Sequence, residues 1–365
     1  MLKVLIVSVG KLSGGVESYT IILGRLLESR GISVYYALRK GSWLCKNIES
    51  DKKLILDMGK IHIFSSMKIL ENYVVSNKIN IIHCNSNNGL FMCQNISETD
   101  FRKKIGVIHG DVIMDQAYKG KVIRWWYEKL ETRLIKKKCS SCIAVSESVK
   151  QLLLKRGVNE NKIWVIYTGI NLISYDCLPD YFSDTLNICT IGNLLPVKNQ
   201  IKLLEALNYL KSKHPEINFS CDIYGEGIER TSLEKYISDN NLNEIKLKGY
   251  DADARKRLNM YALYVHPSEY ESFGIAILEA MNAGCCIIAN ATGGMLEIVA
   301  EGTGLLLDVA DTNALAEKIY WCYKNRNRMR ELGLAGKAFV EKNFSTENML
   351  EHTYALYETM LGRKL

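Results

Sequence analysis

Glu271 and Glu279 stand eight positions apart in the stretch HPSEYESFGIAILEAMNAGCCIIANATGGMLEIVAE, residues 266–301. Ionised carboxylates accept hydrogen bonds from ligand hydroxyls. Pro267, Ser268, Ser272 and Gly274 around the first glutamate are loop and cap residues. Ile275, Leu278, Ala280 and Met281 then follow at helical spacing. Glu271 is therefore expected on a loop, and Glu279 about two turns further on, along a helix. Tyr264–Val265 before the loop read as a strand end, and Cys285–Ala289 after the helix as the next strand. In a doubly wound sheet, ligands bind at the carboxyl ends of the strands. A helix start there also offers unpaired backbone N–H groups to an anion. A helical glutamate is most often a solvated side chain, so the pair means little by itself. Its company changes the reading. Thr292-Gly293-Gly294 form a second loop, Glu297 falls at a helix start, and Gly302 and Gly304 precede the apolar run Leu305–Leu307.

This pattern resembles the donor-binding half of the retaining family 4 glycosyltransferases of the GT-B fold, whose signature is a glutamate, seven residues and a second glutamate. Pro267, Ser268, Phe273, Gly274, Ala280 and Gly284 carry the match beside Glu271 and Glu279. The resemblance implies an α/β protein of two Rossmann-like, doubly wound domains facing a central cleft. It implies transfer of a sugar from a nucleotide diphosphate donor to an acceptor hydroxyl with retained configuration. Glu271 is then expected to hold sugar hydroxyls and the developing positive centre, and Glu279 the ribose hydroxyls. Phe273, Gly274 and Ile275 are expected beside the donor. Front-face departure is implied, with the phosphate taking the acceptor proton; a covalent Glu271 intermediate stays open.

Other positions extend the resemblance. Gly192-Asn193-Leu194-Leu195-Pro196-Val197-Lys198 resembles the family's second phosphate-binding loop, where an arginine and a lysine hold the donor diphosphate. Lys198 falls on the lysine position, but Asn193 stands where the arginine is usual. That departure loses one charge at the phosphates. Gly14 and Gly15 form a loop between a strand and a helix, where glycine lets backbone N–H groups come close to a diphosphate. Glu17 follows them, its role open. His109-Gly110-Asp111 ends a predicted strand; family members often carry a histidine there, near the donor sugar and the acceptor. Gly225-Glu226-Gly227 resembles a glycine turn of the family, and residues around Gly249 are expected near the nucleotide base.

The elements that position these residues read as alternating strands and helices. Lys3–Val9 is a buried strand, Val16–Arg30 an amphipathic helix ended by Gly31, and Ser33–Leu38 the next strand. Further strands are expected at Ile79–His83, Ile105–Ile108, Cys142–Val145, Ile163–Ile166, Leu186–Ile191, Phe219–Tyr224 and Ile245–Leu247. Residues 1–171 form a first domain and residues 186–345 a nucleotide-sugar-binding second one. The aperiodic stretch 172–185 reads as the linker. The last helix, within 346–365, is expected to cross back onto the first domain, as in the family.

At 365 residues the chain is long enough for two cores. The glycine loops are not GxGxxG, which disfavours a nicotinamide site. Cys139 and Cys142 form a lone CxxC, so no zinc site is expected. No metal is expected at all: Asp251-Ala252-Asp253 falls on a surface turn. The eleven cysteines show no disulfide framework and suit a reducing cytoplasm. No signal peptide or transmembrane run is expected.

Residues 1–180 carry net charge +11, the remainder −4. No nucleic-acid motif accompanies the basic half. Its densest part, residues 119–138, has eight basic and two acidic residues among Trp125, Trp126, Leu130 and Leu134. It reads either as a helix with a solvated basic face or as a surface for anionic lipid headgroups. The expected partners are a nucleotide-sugar donor, with uridine favoured over guanosine, and a glycan acceptor, lipid-linked, in bacterial surface polysaccharide synthesis. Two rival readings stand beside this one: an inactive sugar-nucleotide-binding scaffold, which Asn193 would favour, and a sugar-nucleotide epimerase, for which extra acid–base carboxylates are missing.

Overall fold

The computed structural model describes residues 1–11, 14–59, 61–109 and 121–364. They divide into two compact units: Met1–Gly169 with Thr346–Leu365, and Ile170–Ser345. Each is built on one parallel sheet with helical crossovers, an α/β architecture.

The first sheet has seven strands: β1 (Lys3–Ser8), β2 (Ser33–Arg39), β3 (Lys53–Leu56), β4 (Ile81–Asn85), β5 (Lys103–Ile108), β6 (Ser141–Ala144) and β7 (Ile163–Val165), in the order β3-β2-β1-β4-β5-β6-β7. β1 is buried along almost its whole length because helices cover both faces, which is why it reads as one apolar run. The chain reverses its direction of winding between β1 and β4. The helix Gly15–Ser29 and the loops after β4 and β5 meet at that point. The helix Thr346–Leu361 belongs to this unit: Arg30 pairs with Glu347 and Glu351, and buried Tyr357 donates to, or accepts from, His83 Nδ1 at 2.9 Å.

The second sheet has six strands: β8 (Leu186–Ile191), β9 (Phe219–Tyr224), β10 (Ile245–Gly249), β11 (Leu263–His266), β12 (Cys286–Asn290) and β13 (Leu305–Leu307), in the order β10-β9-β8-β11-β12-β13. Its switch lies between β8 and β11. Leu186, Ile188, Ile223, Leu263, Val265 and Ile288 lie in its core, beneath helices Gln200–Lys213 and Thr312–Lys324.

Residues 172–185, expected as a linker, lie within the second unit. Ile173 N–H donates to Asn282 Oδ1 at 2.8 Å, and buried Tyr181 donates to the Gly284 carbonyl. The segment is irregular, so it shows no period, yet its aromatic side chain anchors it. The edge strand β3 and the helix Ile63–Ser76 were not foreseen. β3 is four residues long, and its side chains are mostly only partly buried, so its pattern is weak. Residues 121–138 are one helix, with Trp125 and Trp126 exposed and Glu131 buried against Arg156 at 2.7 Å. Lys119 and Asp111 lie outside the described residues.

Candidate active site

In the second unit the singled-out residues lie at the carboxyl ends of β8 to β12, on the loops that leave them or in the helix that follows β11. β11 ends at His266, and the loop 267–274 carries Glu271 into the helix Ile275–Asn282. Gly274 caps that helix at φ +103°, a left-handed conformation that suits glycine. Ile275 is the first helical residue, and buried Phe273 packs edge-on to Phe344 at 5.8 Å. The Gly293–Gly294 loop braces the glutamate. Gly294 N–H donates to the Glu271 carbonyl at 2.8 Å. A Cβ on Gly293 would stand 2.3 Å from the Glu271 carbonyl oxygen, and one on Gly294 2.4 Å from that of Ser272. Asn290 Nδ2 ties down the same loop by donating to the Ser268 carbonyl at 3.0 Å.

The Glu271 carboxylate receives three donors, all on Oε1: Lys198 Nζ, His266 Nε2 at 2.7 Å and Ser268 Oγ at 3.1 Å. Burial alone would push this carboxyl up, but the Lys198 charge and the His266 bond outweigh it and hold the group well below the usual carboxylate range. Lys198 comes from the short turn Pro196–Lys198 after β8, followed by Asn199 at φ +55°. Lys198 and Glu271, 73 positions apart, are thus in direct contact. Asn193 is exposed, and its carbonyl accepts from Gln200 Nε2 at 3.2 Å.

Glu279 lies about one turn into the helix Ile275–Asn282, 3.6 Å from Arg255 Nη1. Burial pushes its carboxyl up, and Arg255 offsets part of that. Gly249 closes β10 at φ +75°, its carbonyl accepting from Gly225 N–H at 2.9 Å. A Cβ on Gly225 would stand 1.9 Å from the Gly192 carbonyl oxygen, so this glycine lets the loops after β8 and β9 touch.

In the first unit, His109 follows β5. Its Nε2 donates to Asn85 Oδ1, and its ring stands edge-on to Tyr19 with centroids 5.0 Å apart. Asn85 Nδ2 donates to Val16 O at 2.9 Å and to Thr20 Oγ1 at 2.5 Å, which fixes its amide oxygen towards the histidine. Burial pushes His109 down to about 4, so at neutral pH it is neutral with Nδ1 as an acceptor. Gly14 is extended, and Gly15 opens the first helix. The Glu17 carboxylate leans into this loop: a Cβ on Gly10 would meet its Oε1 at 2.1 Å, and one on Gly14 its Oε2 at 3.4 Å. Burial pushes Glu17 up. A carboxylate therefore lies where the loop was expected to receive phosphate.

Sequence reasoning missed His266, Tyr264, Arg255 and Asn85 as site residues. The first two had a signal: Tyr264, His266 and Ser268 alternate, so they fall on one face of β11 and its extension. Among the described residues, no group of three or more His, Cys, Asp or Glu is arranged to hold a metal ion.

Residues 182–339 match the family Glycosyl transferases group 1, and residues 13–173 match Glycosyltransferase Family 4. An uncharacterised glycosyltransferase of Methanocaldococcus jannaschii is 26% identical over 279 residues, 72% of this chain and 70% of that protein. The poly(ribitol-phosphate) alpha-N-acetylglucosaminyltransferase of Staphylococcus aureus is 24% identical over 342 residues, 89% of this chain and 66% of that protein. The crystal structure of Anabaena HepE in complex with UDP and glucose superimposes with a TM-score of 0.82 at 20% identity, covering 99% of each chain.

Proposed function

This chain belongs to the family 4 glycosyltransferases of the GT-B fold, and we propose that it moves a sugar from a UDP-sugar to a glycan hydroxyl with retention of configuration. The observation that carries the reading is the Glu271 carboxylate, ionised and pinned through Oε1 at the carboxyl end of β11, with Glu279 eight positions on in the helix that follows. In this reading the bond from the sugar C1 to the β-phosphate oxygen breaks, and its electron pair stays on the phosphate. The acceptor oxygen bonds to C1 on the same face, and its proton passes to the departing phosphate. Glu271 faces the sugar and its transient positive charge. Lys198 and the backbone N–H groups at the helix starts stabilise the charge that builds on the diphosphate. Glu279 takes the ribose hydroxyls. His109, neutral, is read as a residue for the sugar, and the Gly14–Gly15 turn could receive a diphosphate only if the Glu17 carboxylate beside it turned away. The chemistry asks for no metal: a chelator should leave turnover unchanged.

A uridine donor is favoured because a solved structure of the same fold holds UDP and glucose, with a GDP-sugar as the alternative. Retention agrees with a relative that is an alpha-N-acetylglucosaminyltransferase by name. The acceptor is read as a lipid-linked glycan of a bacterial surface polysaccharide, met through the basic helix Lys121–Lys138 at an anionic membrane. A thermal-shift panel of UDP- and GDP-sugars selects the donor. Glu271→Gln should then lower turnover a hundredfold or more, about 3 kcal/mol in the barrier, with UDP affinity nearly intact. Near-wild-type turnover would remove Glu271 from the reaction.

A further inference from the structure

We propose that His266 is the positioning residue of Glu271, and that Tyr264 positions His266 in turn, so that one carboxylate oxygen is held by the protein and the other is presented to the sugar. The inference rests on the reading of Glu271 as the sugar-side carboxylate. Among the described residues, every hydrogen bond to this carboxylate ends on Oε1. Oε2 is left to the ligand.

The three donors on Oε1 are not equivalent. Lys198 is the residue assigned to the diphosphate, so its ammonium is drawn to a second anion when the donor binds. His266 and Ser268 have no such competing duty. His266 is 3% exposed and Ser268 1%. His266 Nε2 lies 2.7 Å from Oε1 and 3.1 Å from Ser268 Oγ, and Ser268 itself donates to Oε1 at 3.1 Å. The three groups form a closed triangle that keeps the carboxylate in one rotamer after Lys198 turns to phosphate.

The other ring nitrogen is anchored to the sheet. Tyr264 Oη lies 3.3 Å from His266 Nδ1, and the two rings stack with an interplanar angle of 15°. The same hydroxyl meets both backbone groups of Ile191, at 3.3 Å from its nitrogen and 3.2 Å from its oxygen. Ile191 ends β8, the strand whose loop carries Lys198. Glu271 is thus tied through His266 and Tyr264 to the sheet position from which its cationic partner departs. Tyr264 is fully buried, so this anchor cannot swing out.

The test follows release of UDP from UDP-glucose or UDP-N-acetylglucosamine, whichever wild type turns over faster, together with UDP affinity by calorimetry. His266→Phe keeps a ring but has no donor. It should lower kcat by roughly tenfold to a hundredfold, the range expected for a misplaced reacting group, with UDP affinity unchanged. His266→Gln, whose amide N–H reaches about as far as the imidazole Nε2, should recover most of that loss. In a Glu271→Gln background His266→Phe should cost nothing further, because it acts through the carboxylate. Unchanged kcat in His266→Phe, a parallel loss of UDP affinity, or losses that add in the double variant would each overturn the inference. Those outcomes leave the reading of Glu271 intact if Glu271→Gln alone is slow. If Glu271→Gln is not slow, or if wild type turns over neither sugar nucleotide, the reading beneath the inference fails instead.

Discussion

Lys198 and Glu279 have opposite situations, and their variants should fail in opposite ways. Lys198 ends in a partly exposed ammonium paired with Glu271. Its proposed work is on the phosphates, so Lys198→Ala should weaken UDP by about 1.5–3 kcal/mol and leave uridine nearly untouched. Calorimetry with both ligands measures the split; equal losses would take Lys198 away from the diphosphate. Asn193 is exposed, so Asn193→Arg has room to restore a second cation and should tighten UDP. Glu279 is shielded, and among the described residues the cation paired with it is Arg255, 3.6 Å away. Glu279→Ala should weaken uridine and UDP alike, again by roughly 1.5–3 kcal/mol for a charge-assisted bond. An unchanged uridine affinity would free Glu279 from the ribose. Both positions were singled out in the sequence through the family resemblance, Glu279 by its spacing from Glu271 and Lys198 by the loop after β8. His266 was not, although it stands five positions before Glu271, because a histidine at a strand end reads the same whether it faces the core or a carboxylate. Asn85 and Arg255 were less legible still, since their partners come from distant parts of the chain.

The elements were legible where their periodicity was clean and obscure where tertiary contacts supplied the order. β1 announced itself as an apolar run, and β8 and β11 as short strands running into turn residues. The glycine pair after β12 read only as a loop, yet its role is steric: two backbones approach where any Cβ would collide. The docking of the last helix on the first unit came from resemblance alone. Its physical basis is a buried polar chain in which His83 meets Tyr19 at 3.2 Å and Tyr357 at 2.9 Å. Burial pushes His83 down to about 3 and His109 to about 4. The unfolded chain would bind protons at both near pH 6.5. As pH falls below that value the unfolded state takes up protons that the fold refuses, so stability drops until the folded values are reached. Between pH 6.5 and 5 each histidine should cost about 1.5 kcal/mol, before most carboxylates titrate. Urea unfolding across that window should show the loss, and His83→Gln should halve it. A wild-type stability that is flat from pH 6.5 to 5 would mean these rings are hydrated.

For the molecule as a whole, charge is the property that sequence and structure read differently. The sequence has a basic first half, and residues 119–138 are its densest part. The structure sorts the charges of that helix. Glu131 is consumed by Arg156, while Lys136, Lys137 and Lys138 project from its last turn into solvent. Trp125 and Trp126 are 51% and 64% exposed, with the Lys129 ammonium 5.8 Å above the Trp125 ring. Among the described residues no helix is long and apolar enough to cross a membrane. Exposed tryptophan beside lysine suits the headgroup region of an anionic bilayer. Each lysine there contributes about 1 kcal/mol, and three together change binding by some two orders of magnitude at low salt. Wild type should sediment with phosphatidylserine vesicles at low ionic strength, bind neutral vesicles weakly, and release as salt shortens the Debye length to about 8 Å. Reversing Lys136, Lys137 and Lys138 to glutamate should abolish that sedimentation. UDP affinity should not change, because Lys136, Lys137 and Lys138 are not among the residues proposed to hold the nucleotide. Replacing Trp125 and Trp126 by alanine should weaken binding in a way that salt does not mimic. If wild type ignores anionic vesicles at low salt, the helix is a solvated basic face, and a lipid-linked acceptor must be recruited by something other than this surface.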